Sequence, residues 1–477
     1  MLVEPFMNRR ASFRRKKPSK AKQAKSNLPK NAPLIQVTIS HIGGRGDGVG
    51  TAEFTHNYET KEHHIFVPDT LAGEEVIVQP TNLTGQGIQA ELRELVKSAD
   101  NRKAPDCAAS PACGGCQFQH MEPSSYQSWK KDQLVATLGR AGIEPEVWRD
   151  AYFAPSYQRR RARLAFRRRQ DDVIIGFRAR QSHQIIFPAE CTVLAPEILA
   201  LVIQLRDDIF MSLQNSMTGE VEITLCDNGC DIVIYSDDVI SGDVTASLTQ
   251  KAAANDVIVR LCVVTKGEAP LLLFATEAPA ISWQLSDANP DNKIILHPAP
   301  ASFLQADKQA ETIMAQDIFE CLSGCERIVD LFAGSGTLSS HLLFNGNTAS
   351  TISAFDSGQT ALSAYEAIAH RNGKSMQLET TARNLFHAPL TPKELEGFDA
   401  AIIDPPRAGA SAQMPALAQS QIPHIIMVSC NPHSFAKDAQ ILLEGGYHCR
   451  WARLVDQFAL TSHSELITYF FKDCESD

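Results

Sequence analysis

The sequence predicts an α/β chain whose C-terminal part is a Rossmann-like, doubly wound domain, preceded by a small OB-like β-barrel and a β-rich central domain. Three observations carry this expectation. From about residue 300, apolar strands (Arg327–Phe332, Ile352–Phe355, Ala400–Ile403, Ile425–Ser429) alternate with helical stretches such as Ala361–Ala369, the pattern of a parallel sheet covered on both faces. Residues 34–97 instead alternate apolar and polar positions between glycine clusters, with no helical period, as short strands of a closed barrel do. Between 150 and 295 two hairpins are legible: Val221–Leu225 turning at Asn228-Gly229 into Ile232–Tyr235, and Val257–Leu261 turning near Lys266-Gly267 into Leu271–Phe274.

The elements follow in order along 477 residues, enough for three or four domains. Residues 1–33 read as a disordered basic tail: the first thirty hold ten Lys and Arg against Glu4 alone, a charge of +9 on a chain whose net charge is −10. The barrel spans 34–98. Residues 99–120 carry cysteine, glycine and proline with little periodicity, so a ligand must order them. A linking helix over Tyr126–Ala141, stopped by Gly142, opens the 121–299 segment that holds the central domain, and the doubly wound domain fills 300–477. No stretch approaches 18 uninterrupted apolar residues and the Met1 end lacks the apolar run of a signal peptide, so a cytoplasmic protein without membrane association is expected.

Twelve cysteines in such a chain point to free or metal-bound thiols rather than disulfides. Cys107-(x5)-Cys113-(x2)-Cys116, with Cys191 75 residues further on, can close a tetrahedral soft-metal site, either zinc or a [4Fe–4S] cluster. The i, i+4 pair Cys321 and Cys325 is more simply core filling. A second constellation is Val329-Asp330-Leu331-Phe332-Ala333-Gly334-Ser335-Gly336-Thr337, a strand entering a glycine turn, with Asp356 at the end of the next strand. Glycines admit a flat cofactor to the backbone and the acid can accept ribose hydroxyls, which suits an adenosyl or a nicotinamide group equally. The third is Asp404-Pro405-Pro406-Arg407 and Ser429-Cys430-Asn431-Pro432, each just after an apolar strand. In an open parallel sheet Asp356, Asp404 and Cys430 should therefore converge on one crevice, with Cys430 a candidate nucleophile. Asp456-Gln457-Phe458 and Thr461–Ile467, alone, read as a polar turn entering a final strand.

Together these residues resemble the RNA uracil-5-methyltransferase family, most closely its 23S rRNA (uracil-5-)-methyltransferase branch, over roughly 34–477. The resemblance implies an RNA-binding TRAM domain at 34–98 and [4Fe–4S] ligation by Cys107, Cys113, Cys116 and Cys191. It makes Cys430 the nucleophile and Glu465 the base. Gln305, Phe332, Gly334, Thr337, Asp356, Asn384 and Asp404 are implied to line the pocket for S-adenosylmethionine and uracil. The expected partner is RNA, 23S rRNA above tRNA because tRNA-directed relatives lack the barrel and the cluster, and the expected state is a monomer. The alternatives are tRNA uracil-5 methylation and a non-catalytic iron–sulfur RNA-binding factor. Departures from the family pattern are Asp307 for a usual Asn, Asp356 for Glu, Ala333 for Cys and Ala459 for Pro; of these, Asp307 bears on substrate choice more than on activity.

Carbon 5 of uracil is too weak a nucleophile to take a methyl group unaided, so a thiolate must first add to carbon 6 and a base must later remove the carbon 5 proton. A paired uracil hides carbon 6, so the target must be single-stranded or flipped, at a cost of a few kcal/mol. The run Arg159, Arg160, Arg161, Arg163, Arg167, Arg168 and Arg169 reads as a row of phosphate contacts for holding such RNA. Base catalysis of this kind contributes about 10²–10⁴ in rate. Glu465→Gln is therefore expected to stall after methyl transfer and leave a covalent RNA adduct on a denaturing gel, whereas Cys430→Ala should abolish turnover and adduct while retaining cofactor binding.

Overall fold

The computed structural model describes residues 26–29, 32–56, 58–180, 182–284, 293–345 and 350–472. Most of the basic tail lies outside them. The chain divides into two compact units, one built from residues up to 99 and the other from 100–477, with 44–46 counted in the second.

In the first unit, strands Ser26–Asn27, Ile35–Thr38, His41–Ile42, Gly48–His56, Glu59–Val67, Glu75–Thr84 and Gly87–Lys97 form one seven-stranded sheet, with no helix among the described residues. Alternation explains its core: Val76, Val78, Ile88 and Ala90 point inward against Val37, Ile39, Ile65 and Val67. The glycine cluster is used for close approach, since a Cβ on Gly50 would stand 2.4 Å from the Thr38 carbonyl oxygen. The unit begins earlier than the tail boundary at residue 33 implied. Ser26–Asn27 pairs with Asn82–Leu83, and Leu28 and Ala32 are buried in the same core.

The second unit opens with residues 101–120, which form no helix and no strand longer than an isolated bridge. The helix Pro123–Arg140 begins one turn before Tyr126, with proline in its first turn, and stops before Gly142 at φ +71°. The central domain is a seven-stranded sheet containing both expected hairpins, Thr218–Cys226 with Gly229–Ser236 and Ile258–Thr265 with Leu271–Ala275. Two helices, Pro196–Asp207 and Gly242–Ala253, pack on it. The first buries Ile198, Leu201, Val202 and Leu205 against Leu164 and Phe166, a helical stripe hidden within a run of apolar residues.

The C-terminal sheet has nine strands among the described residues: β1 (Arg327–Leu331), β2 (Thr351–Asp356), β3 (Leu378–Ala382), β4 (Ala400–Ile403), β5 (His424–Ser429), β6 (His448–Asp456) and β7 (Glu465–Phe471), with the two-residue strands Val147–Trp148 and Tyr152–Phe153 parallel to the outer edge of β6. The order of β1–β7 is 3-2-1-4-5-7-6. The first five are parallel, and β7 inserts antiparallel between β5 and β6. Ile328, Val329, Leu331, Ala400, Ile402, Ile403, Ile425 and Ile426 are fully buried, as strands covered on both faces require. The order reverses at β1, which opens a crevice at the carboxyl ends of β1 and β4.

The arginine run is not a continuous row of phosphate contacts: Arg160 and Arg168 are buried, while Arg163, Arg167 and Arg169 are exposed. Arg160 is buried, donating to the Gln305 carbonyl and to Glu311 at 2.9 Å, whose other oxygen accepts from Trp283. Arg168 is buried against the Met211 and Asp172 carbonyls. Arg161 pairs with Glu222 at 2.9 Å and Arg163 with Glu220 at 2.7 Å. The strand Arg161–Arg168 sits between two others in its sheet, so its charges meet cross-strand acids. Arg160→Met should therefore lower stability to denaturant by about 3–5 kcal/mol by orphaning Glu311, while Arg167→Ser, at an exposed position, should change it by less than about 0.5 kcal/mol.

Candidate active site

Strand register brings the two central side chains together. In the antiparallel pairing of β5 with β7, Ser429 stands opposite Leu466, so one step further the chain reaches Cys430 on one strand and Glu465 on the other. Opposed residues of such a pair have Cα atoms about 4.5–5.5 Å apart. Glu465 in turn pairs with Val455 of β6. Cys430 is half-buried and Glu465 almost fully buried. Burial, then the charges of Glu465 and Asp404, push the Cys430 thiol up to about 11, with Arg407 pulling the other way. Burial, then Asp404, pushes the Glu465 carboxyl up to about 8, against a hydrogen bond from Gln457 that lowers it. The thiol, the Glu465 carboxyl and Asp404 thus occupy one electrostatic neighbourhood.

The parallel half of the sheet supplies the opposite wall. After β1 the chain turns through Phe332, at φ +63°, and Gly334 and Gly336, at φ +56° and +72°. A Cβ on Gly336 would lie 2.4 Å from the Tyr365 ring, whereas one on Gly334 would meet nothing within 4 Å. That open glycine face is what a flat cofactor needs, and Thr337 follows it. Asp356, ending β2, accepts from the Gly334 amide at 3.1 Å and the Gly358 amide at 2.6 Å, so it braces the turn while keeping lone pairs for further donors. Asp404 ends β4, and burial followed by Asp330 pushes it up to about 7. Asn384 lies past β3, exposed, its side chain accepting from the Phe386 amide; Phe386 packs its ring 5.4 Å from that of Phe332. Gln305 is buried beside Glu465, joined to it through Gln457.

Cys107, Cys113, Cys116 and Cys191 line one cavity, together with Arg159, Phe177 and Gln119. It encloses about 420 Å³ of atom-free space, its open mouth included. The Gly115 amide donates to Cys113 Sγ at 3.4 Å and the Leu194 amide to Cys191 Sγ at 3.5 Å. Burial first, then the charges of Cys191, Cys113 and Cys107, pushes the Cys116 thiol up to about 12, against a hydrogen bond with Gln119 that lowers it. Among the described residues no three Cys, His, Asp or Glu side chains form a ready ion-holding group. Four thiols nevertheless converge on one cavity, with amide donors on two of them and the half-buried Arg159 beside them. The same loop is tied to the segment before β7. The Gln117 and Phe118 amides donate to the Leu460 carbonyl at 2.7 and 3.2 Å, and the Ser462 amide donates to Gln117 Oε1 at 2.7 Å.

Several contributors were given no such role by the sequence. Lys130 and Tyr126, from the linking helix, hold the buried Asp456 that precedes Gln457; Tyr126 donates at 2.6 Å. Gln457 bonds to Gln305, Ala306 and Glu465. Only the i, i+4 spacing of Tyr126 and Lys130 hinted at a shared face. Asp307 proves to be a helix cap: its side chain accepts from the Ala310 amide at 2.6 Å and from the Tyr152 hydroxyl at 3.1 Å.

Residues 386–472 match the family model described as tRNA (uracil-5-)-methyltransferase. A protein of Shewanella halifaxensis named 23S rRNA (uracil(1939)-C(5))-methyltransferase RlmD is 30% identical over 479 residues, covering 96% of this chain and 99% of its own. The chain belongs to the RNA uracil-5-methyltransferase family. A Brucella suis member named as an RNA methyltransferase is 32% identical over 92% of this chain and 98% of its own. The fold agrees with that of the Pyrococcus abyssi tRNA (uracil-54, C5)-methyltransferase solved with S-adenosyl-L-homocysteine, at TM-score 0.67 and 21% identity over 91% of this chain and 99% of that one. A tRNA-directed enzyme therefore shares nearly the whole architecture, so the N-terminal region does not by itself separate rRNA from tRNA enzymes. Members of this family use S-adenosylmethionine, and the open glycine turn beside Asp356 fits it. No helix among the described residues is long and apolar enough to cross a membrane.

The elevation of the Cys430 thiol by Glu465 gives a signed expectation. Above pH 8, where Glu465 is ionised, Glu465→Gln should lower the Cys430 pKa and speed its alkylation by iodoacetamide roughly 2–10-fold, up to one pKa unit, as read by peptide mass spectrometry at Cys430.

Proposed function

We propose that the protein methylates carbon 5 of one uridine in 23S rRNA, with Cys430 as nucleophile and Glu465 as base. The observation that carries the reading is the placement of thiol and carboxyl at facing ends of β5 and β7, in the crevice that also holds Asp404. The Cys430 thiolate adds to carbon 6 of uracil, and the displaced electron pair makes carbon 5 an enolate carbon. S-adenosylmethionine, held by Phe332, Gly334, Thr337, Asp356 and Asn384, supplies the electrophilic methyl group when bound. Glu465 then takes the carbon 5 proton; the C5–H electron pair re-forms the ring double bond and expels the Cys430 sulfur. Gln305 and Asp404 bound the pyrimidine, and Arg407 favours the thiolate.

The four cysteines around the Arg159 cavity would hold a [4Fe–4S] cluster. The cluster would supply order, cross-linking a loop that has no helix or strand of its own and that hydrogen-bonds to Leu460 and Ser462, just before the base. The β-sheet unit at 34–98 would act as a TRAM-like RNA-binding module, and the enzyme would work as a cytoplasmic monomer. 23S rRNA is favoured by the full-length relationship to the Shewanella enzyme. A second reading, tRNA as substrate, is favoured by the description of the matching family model.

Nucleotide-resolution mapping of 5-methyluridine in rRNA and tRNA, from cells with and without the protein, decides between them. Loss of methylation at one 23S position is expected. Loss confined to tRNA selects the second reading, and an unchanged map contradicts both.

A further inference from the structure

The amide of Gln457 sits at the junction of three groups. Its Oε1 accepts from the Ala306 backbone amide at 2.8 Å, and its Nε2 donates to Gln305 Oε1 at 2.6 Å and to Glu465 Oε2 at 2.9 Å. A backbone N–H can only donate, so the Ala306 contact fixes which end of the Gln457 amide is oxygen and removes the usual ambiguity between the two orientations. Both amide hydrogens are then committed. It follows that Gln305 must present its oxygen to Gln457 and keep its own NH₂ for something else, and that Glu465 is held by one oxygen only. Neither the Gln305 NH₂ nor Glu465 Oε1 has a protein hydrogen bond among the described residues, although both side chains are buried. One donor and one acceptor are thus left over side by side.

We propose that Gln457 is a positioning residue of the reaction, holding Glu465 by Oε2 so that Oε1 takes the carbon 5 proton, and polarising Gln305 so that its NH₂ meets a pyrimidine carbonyl. The inference rests on the assignment of Glu465 as base. The donor polarity suits uracil, with carbonyl oxygens at both ring positions 2 and 4, and opposes the amino group that cytosine carries at position 4. The position of Gln457 is itself over-determined. Asp456 before it is locked by Lys130 and Tyr126, and Thr461 and Ser462 beyond it are bonded to Phe458 and Gln117. Its turn is closed by its own amide on the Val455 carbonyl. The charged groups that face Glu465 are Asp404 from the end of β4 and Cys430 from the end of β5, both acidic. The Gln457 amide is therefore the group favouring the ionised base.

The test uses two variants of the full-length protein. Gln457→Glu keeps the shape and the acceptor for the Ala306 amide but has no donor when ionised and one when protonated, so it preserves packing while deleting the two-donor fork. Gln457→Met deletes both. Release of tritium from carbon 5 of uridine in tritiated substrate RNA, under single-turnover conditions from pH 6 to 9.5, reads proton removal directly. The pH midpoint should rise in both variants, further in Gln457→Glu, each unit of rise lowering release about tenfold at pH 7. The covalent adduct should still form, and should outlast that of the wild type. Midpoints and rates equal to wild type in Gln457→Glu would overturn the role of Gln457 while leaving the base assignment standing. Wild-type protein that released no tritium would instead overturn the methylation reading itself.

Discussion

The antiparallel pairing of β7 with β5 is the constraint on which the site depends. A parallel sheet brings strand ends to one side, but it leaves successive ends separated by a crossover. Inserting one reversed strand sets the beginning of β7 against the end of β5, so that residues 35 positions apart in sequence become cross-strand neighbours. The register at Ser429 and Leu466 then does what a loop would do less well, since strand ends are held by the ladder and by the buried side chains beneath them. Everything else in the crevice is arranged around that meeting. The glycine turn after β1 leaves an open face, Asp356 braces it, and Asp404 closes the gap between the two walls.

The electrostatics follow from the same geometry. Asp330, Asp404, Glu465 and Cys430 end or flank adjacent strands, and burial pushes each toward its neutral form. Such a crevice resists a second anion and accommodates a cationic ligand, which suits a sulfonium cofactor. It also means that RNA phosphates have to be met elsewhere. The central arginine run provides little of that surface, because Arg160, Arg161, Arg163 and Arg168 are satisfied by acids and carbonyls of the fold and only Arg167 and Arg169 are left exposed beyond them. Among them Arg160 binds the central domain to the catalytic one: it reaches both Gln305 and Glu311, so a residue of one domain steadies the floor of the other's pocket.

Much of this was legible in the primary structure, and the reasons are physical. Parallel strands buried on both faces read as continuous apolar runs, so β1, β2, β4 and β5 were recognisable within a residue or so. The Asn228-Gly229 turn marked its hairpin. Spacing marked the four cysteines, position after a buried strand marked Cys430, and resemblance added Glu465; the fold brings Cys430 and Glu465 together and the four cysteines around one cavity. What periodicity does not carry is partnership at long range. The arginine run looked cationic because its acids, Glu220, Glu222 and Glu311, lie on other strands and helices. Gln457 looked like turn polarity because its three partners come from two distant segments. Asp307 looked like a change in the pocket, yet a cap position is judged by the amide two or three residues later. The helices Pro196–Asp207 and Gly242–Ala253 were missed because strong neighbouring strands dominated their region.

The central claim is that one sulfur and one carboxyl serve the same pyrimidine ring, and it is tested most directly with substrate RNA carrying 5-fluorouridine at the target position. Fluorine cannot leave carbon 5 as a proton does, so the wild-type protein should be arrested as a covalent complex that has already accepted the methyl group. Peptide sequencing of that complex by mass spectrometry should find the methylated nucleotide attached at Cys430. Attachment at any other residue, or methylation of carbon 5 with no protein–RNA bond at any stage, would contradict the account.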